Sequence, residues 1–186
     1  MRSSLSARDL ATGALFAALI AAGALVALPM FGPVPFTLQV AFVLLAGLLL
    51  GARLATMSVV VYLIAGLVAP VYAQGTSGLG VLVGPTGGYL VGFAVAACLV
   101  GWLTERFQPR RFMPLLGIAL AGLLPIYAIG ATWLALQLHT TSIQAVVWGG
   151  VLQFLPADAA KAALAAVAAR ALLSLPLDLR GLSRAR

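Results

Sequence analysis

Long apolar runs separated by short breaks dominate this chain. The first covers about residues 8–28 and stops at Pro29, and an uncharged stretch with three prolines, PMFGPVPFT, follows it. A shorter run covers about 37–51 and ends at Gly51-Ala52-Arg53. Three more cover about 54–72, 86–104 and 112–137. The break AQGTSGLGVLVGPTGG is glycine-rich and uncharged, ERFQPRR is strongly charged, and LHTTS is polar. The last apolar stretch, Ile143 to Leu175, would be about 50 Å long as one helix. Pro156 divides it, because proline suits the first turn of a helix, where its missing N–H costs nothing. Residues 156–175 then supply the roughly 20 apolar residues a span needs. Ile143 to Leu155 becomes a short outer-side segment. The pattern predicts an all-α integral membrane protein, residues 1–186 forming a single six-helix membrane domain.

Composition agrees. Of 186 residues, 63% are hydrophobic and 8% charged, against roughly 25% charged in soluble domains. Such a chain cannot cover its surface with polar groups, so the lipid bilayer is its solvent. The net charge of +7 raises nucleic acid as a partner. The basic residues, however, sit in short connections and encode topology instead. With the N-terminus inside, Arg2, Arg8, Arg53, Arg106, Arg110, Arg111, Arg180, Arg184 and Arg186 all fall on the inner side. Arg170 snorkels to the same side. Both termini are therefore expected in the cytoplasm. The apolar stretch Leu10 to Leu28 exceeds the roughly 7–15 residues of a signal-peptide core, so it is expected to stay as the first membrane helix. Cys98 is the single cysteine, lies in an apolar run and is read as helix filler.

Candidate chemistry gathers on the outer side. Asp158 and Lys161 are the acid and the ammonium near membrane depth, three residues apart on a predicted helix, so they share a face. A charge at a helix centre costs about 2.5–3.5 kcal/mol even on the lenient insertion scale. Asp158 also falls in the first turn after Pro156, where free N–H groups favour an anion. The pair is either a ligand site or an ion pair that only fixes helix packing. The loop GPTGGY is the second candidate: Gly84, Gly87 and Gly88 allow close backbone approach, and Tyr89 can line a cavity. Its other reading is a tight turn with close helix packing. No Gly-Lys-Ser/Thr follows, so it is not a phosphate loop. Gln39 and Trp148 are outer-side polar and aromatic candidates. His139 stands alone, so no metal site is expected, and no nucleophile–base pair supports an enzyme. Two small-residue stripes mark the first helix, Gly13/Ala17/Ala21 and Ala14/Ala18/Ala22. Such stripes permit close helix approach, within the bundle or to another subunit.

Several motifs match a known family. VPFTLQ (Val34 to Gln39), LLAGLLLG (Leu44 to Gly51), GPTGGYLVGF (Gly84 to Phe93) and Pro156-Ala157-Asp158-Ala159-Ala160-Lys161 occur in order. Together they resemble the biotin-specific substrate-binding component of energy-coupling-factor transporters, the BioY family. The resemblance implies a six-helix bundle in the bacterial cytoplasmic membrane that captures biotin from outside. It implies a membrane scaffold subunit and two cytoplasmic ATPase subunits as partners. It also implies that Ala14, Ala18 and Ala22 face the scaffold. Biotin would be transported cargo, and no cofactor is expected. On this reading Asp158 accepts from a ureido N–H, and Lys161 donates to a ligand oxygen or orients Asp158. The GPTGGY backbone and Tyr89 line the pocket, with Gln39 and Trp148 beside them. The other readings are a component for a different vitamin, a solitary secondary transporter, and a structural membrane protein.

Overall fold

The computed structural model describes residues 6–30, 32–140 and 142–175. Helix α1 (Ala7–Leu25) starts at a capping box. The Ser6 hydroxyl accepts from the Asp9 N–H at 3.1 Å, and the Asp9 carboxylate accepts from the Ser6 N–H at 2.8 Å. The chain then forms a small hairpin. Strand β1 (Ala27–Leu28) pairs antiparallel with β2 (Phe36–Thr37), Ala27 opposite Thr37 and Leu28 opposite Phe36. The proline-rich break thus folds back over the bundle.

Helix α2 (Gln39–Leu50) has 12 residues, about 18 Å of rise, too short for a core about 30 Å thick. Nine of those residues are buried. The second apolar run is therefore an internal helix, apolar all round because protein surrounds it. Gly51 alone links it to α3 (Ala52–Val68), with φ 80° and ψ 172°. That backbone region is essentially restricted to glycine, and it allows the reversal in one residue. The glycine-rich break carries a 3-10 turn (Ala73–Gly75) and a short helix, α4 (Leu79–Val83).

Helices α5 (Gly87–Phe107) and α6 (Phe112–Gln137) follow, then α7 (Ile143–Val147), a π-helical turn (Trp148–Leu152) and α8 (Leu155–Ser174). Pro156 sits in the first turn of α8, as its chemistry requires. Among the described residues, five helical stretches are long and apolar enough to cross a membrane: Ala7–Leu25, Ala52–Gly75, Gly87–Phe107, Phe112–Gln137 and Ile143–Ser174. With the short α2 they make up the six-helix bundle. The segment before Pro156 is the helical lead-in to α8.

α5 forms the centre and packs along α6, α2 and α3, while α8 and α1 close on α2. Leu15, Ile64, Leu124 and Leu164 are exposed on the outside, the apolar surface a bilayer requires. The two stripes on α1 separate. Gly13 and Ala17 are buried, and a Cβ on Gly13 would lie 3.2 Å from Leu54. Ala14, Ala18 and Ala22 face outward.

At the arginine-bearing end, α5 meets the start of α3 backbone to backbone. A Cβ on Gly101 would lie 2.3 Å from the Ala52 nitrogen. One turn on, Glu105 accepts from the Ala52 N–H at 3.0 Å and caps α3. Neither backbone can yield there. Gly101→Val is therefore expected to destabilise the fold by about 3 kcal/mol, the upper end for overpacking. Gly117→Ala is the control, since nothing lies within 4 Å of its added Cβ. Melting of both purified variants in detergent checks this; equal midpoints would refute the close contact.

Candidate functional site

At the end opposite the arginines, the bundle encloses a cavity. Its empty space is about 590 Å³, the open mouth included. The hairpin supplies Val34 and Phe36, α2 supplies Gln39 and Val40, and the loop after α3 supplies Tyr72. Thr86, Tyr89 and Phe93 come from the start of α5, Ile126 and Tyr127 from α6, and Asp158 and Lys161 from α8. Most of the wall is apolar. Its charged groups, among the described residues, are Asp158 and Lys161.

Both are 4% exposed. Lys161 Nζ donates to Asp158 Oδ1 at 2.6 Å, and the Tyr127 hydroxyl donates to Asp158 Oδ2 at 2.7 Å. The Lys161 ammonium also lies 3.6 Å from the centre of the Phe36 ring, a cation–π contact that strengthens where water is excluded. Desolvation of such a pair can exceed its Coulombic gain. The pair is therefore poor evidence for stability and better evidence for recognition of a polar group.

A second network holds the hairpin. Thr37 donates to Gln39 Oε1 at 2.9 Å, and Gln39 Nε2 donates to the Tyr62 hydroxyl at 2.6 Å. Tyr72 meets the Tyr62 ring edge-on, centroids 5.7 Å apart, and donates to the Leu63 carbonyl at 2.6 Å. Tyr89 is 7% exposed and donates to the Gly150 carbonyl at 2.8 Å. Its ring fits because residue 130 is glycine, where a Cβ would lie 2.3 Å from the ring. Chemically, the site offers a fixed carboxylate acceptor, an ammonium donor and hydroxyls inside apolar walls. It suits a small ligand with an apolar body and a polar, N–H-bearing ring. Among the described residues, no three His, Cys, Asp or Glu side chains converge on a metal position.

The BioY family profile matches residues 1–176. The chain belongs to the BioY family. It is 40% identical to the biotin transporter BioY of Thermotoga maritima over 172 residues, covering 92% of this chain and 99% of that one. It is 39% identical to a probable biotin transporter BioY of Pyrococcus horikoshii, covering 90% and 98%. A crystal structure of the S-component for biotin from an ECF-type ABC transporter superposes with a TM-score of 0.84 at 30% identity, covering 90% of this chain and 92% of that one. This BioY-family chain is thus a multi-pass, all-helical membrane protein with the S-component fold.

Of the residues singled out in the BioY-type motifs, the structure brings Asp158, Lys161, Tyr89 and Gln39 to one cavity. Gly84, Gly87 and Gly88 are not on its wall. They serve packing: the Gly84 carbonyl accepts from Trp133 Nε1 at 2.9 Å, and a Cβ on Gly88 would lie 2.2 Å from Trp133. A Cβ on Gly87 would meet the Leu82 carbonyl at 1.8 Å. Trp148 is 62% exposed and also lies off the wall, because the π-helical turn points it outward. His139 is exposed at the end of α6, and Cys98 is exposed on α5. Arg180, Arg184 and Arg186 of the tail, like Arg2, lie outside the described residues. Sequence reasoning missed Phe36 and Tyr127 as site residues. Tyr127 did carry a signal: a hydroxyl in the middle of an apolar span needs a buried partner.

Proposed function

We propose that this chain captures biotin on the outer side of a bacterial cytoplasmic membrane, as the substrate-binding component of an energy-coupling-factor transporter. The buried Asp158–Lys161 pair on the cavity wall carries the reading. The ureido ring of biotin offers two N–H donors and a carbonyl acceptor. Asp158 takes an N–H, and Lys161 donates to the ligand or orients Asp158. The thioether ring rests on the apolar wall, and Tyr89 and Gln39 hold the surrounding elements in place. The component is not an enzyme: it binds and releases its cargo unchanged.

Orientation follows from charge. Arg8, Arg53, Arg106, Arg110, Arg111 and Arg170 lie towards the end opposite the cavity, which supports cytoplasmic termini and a cavity that faces outward. The partners are a membrane scaffold subunit, met through the outward face of Ala14, Ala18 and Ala22, and two cytoplasmic ATPase subunits. The test is labelled-biotin uptake in a biotin auxotroph lacking its own transporter. The chain with scaffold and ATPases should accumulate biotin above the medium concentration, and the chain alone should only bind it. Concentrative uptake by the chain alone, abolished by an ionophore, would make it a solitary carrier. No uptake with all subunits well expressed would overturn the reading.

A further inference from the structure

We infer that Tyr127 is a positioning residue for recognition of the ligand's N–H group, acting through Asp158; this rests on the proposed binding of biotin. Asp158 and Lys161 sit three residues apart on one helix. Their contact travels with α8 and leaves the plane of the carboxylate undetermined relative to the rest of the cavity. Tyr127 comes from α6, and its hydroxyl donates to Asp158 Oδ2 at 2.7 Å while Lys161 holds Oδ1 at 2.6 Å. The two donors take one oxygen each, from different helices, so the carboxylate is clamped before any ligand arrives. Each oxygen keeps a further lone pair for an incoming N–H. When the site is empty, neither oxygen is left as an unpaired buried charge. This is preorganisation: the ordering of the acceptor is complete before binding.

Tyr127 itself is buried and within 9% exposure, and Gly130 and Ile126 keep the surrounding α6 face packed against α5. Tyr127→Phe removes the donor and keeps the ring. A hydrogen bond to a charged group is involved, so biotin affinity should fall about ten- to a hundredfold.

The decisive readout is selectivity. Of the two analogues methylated at a single ureido nitrogen, wild type should prefer biotin over the one that lacks the N–H Asp158 accepts. In Tyr127→Phe that preference should shrink about tenfold or more, because the acceptor is no longer aimed. The preference for biotin over desthiobiotin, which shares the ureido ring, should stay as in wild type. A merely structural Tyr127 would lower affinity for all ligands alike, and that outcome overturns the inference. So does wild-type binding and selectivity in the variant. Tyr127→Trp, which fills the space with a differently placed donor, should not restore the preference; restoration would also count against the inference. If wild type binds no biotin, the proposed function falls and this inference with it. If wild type binds and only the selectivity result fails, the proposed function stands alone.

Discussion

Asp158→Asn is expected to weaken biotin binding by about thirtyfold to several thousandfold while the protein stays folded. The amide keeps one oxygen, which can still accept from Tyr127. Its nitrogen cannot accept from Lys161 or from a ureido N–H. The Lys161 ammonium is then a buried charge whose carboxylate partner is gone, under the Phe36 ring. The ureido N–H also loses its charged acceptor, and losing a buried, hydrogen-bonded charged contact across a binding interface costs about 2–5 kcal/mol, each 1.4 kcal/mol being a factor of ten. Titration of biotin into the purified variant measures this, with gel filtration and circular dichroism reporting the fold. A folded variant that binds like wild type would remove Asp158 from the site.

The second large effect is on stability. Lys161→Met leaves the Asp158 carboxylate buried with Tyr127 as its remaining hydrogen-bond partner. Breaking a buried pair in this way costs about 3–5 kcal/mol, whereas replacing both members by hydrophobic residues of similar volume is often neutral or stabilising. The double variant Asp158→Leu/Lys161→Met is therefore expected to melt near wild type, well above Lys161→Met. It should still bind no biotin. Melting curves with and without biotin separate the two roles. Full stability together with full binding in the double variant would reduce the pair to a packing device.

The bundle was legible because lipid imposes a simple demand: spanning backbone must be helical and its surface apolar. Run lengths therefore located α1, α3, α5, α6 and α8 directly. Hydropathy does not say whether an apolar surface meets lipid or protein, so the internal position of α2 was not visible in it. The β1–β2 hairpin was hidden in a proline-rich break, since its two-residue strands carry too little alternation to read. Asp158 and Lys161 stood out because charges are rare and costly at depth. Phe36 and Tyr127 meet them only across the fold, 122 to 125 and 31 to 34 positions away in the chain, and no local pattern announces such contacts. The glycines of GPTGGY left two readings open, because glycine admits any close neighbour, and here that neighbour is Trp133 or Leu82. Trp148 fitted a pocket wall and a membrane belt equally well until the π-helical turn fixed its direction.

Equilibrium titration of biotin into the purified wild-type chain in detergent, without partner subunits, decides whether the cavity is a biotin site. Saturable binding of one biotin per chain is the expected result. A monodisperse, helical protein that binds no biotin, or binds another vitamin in its place, would contradict it.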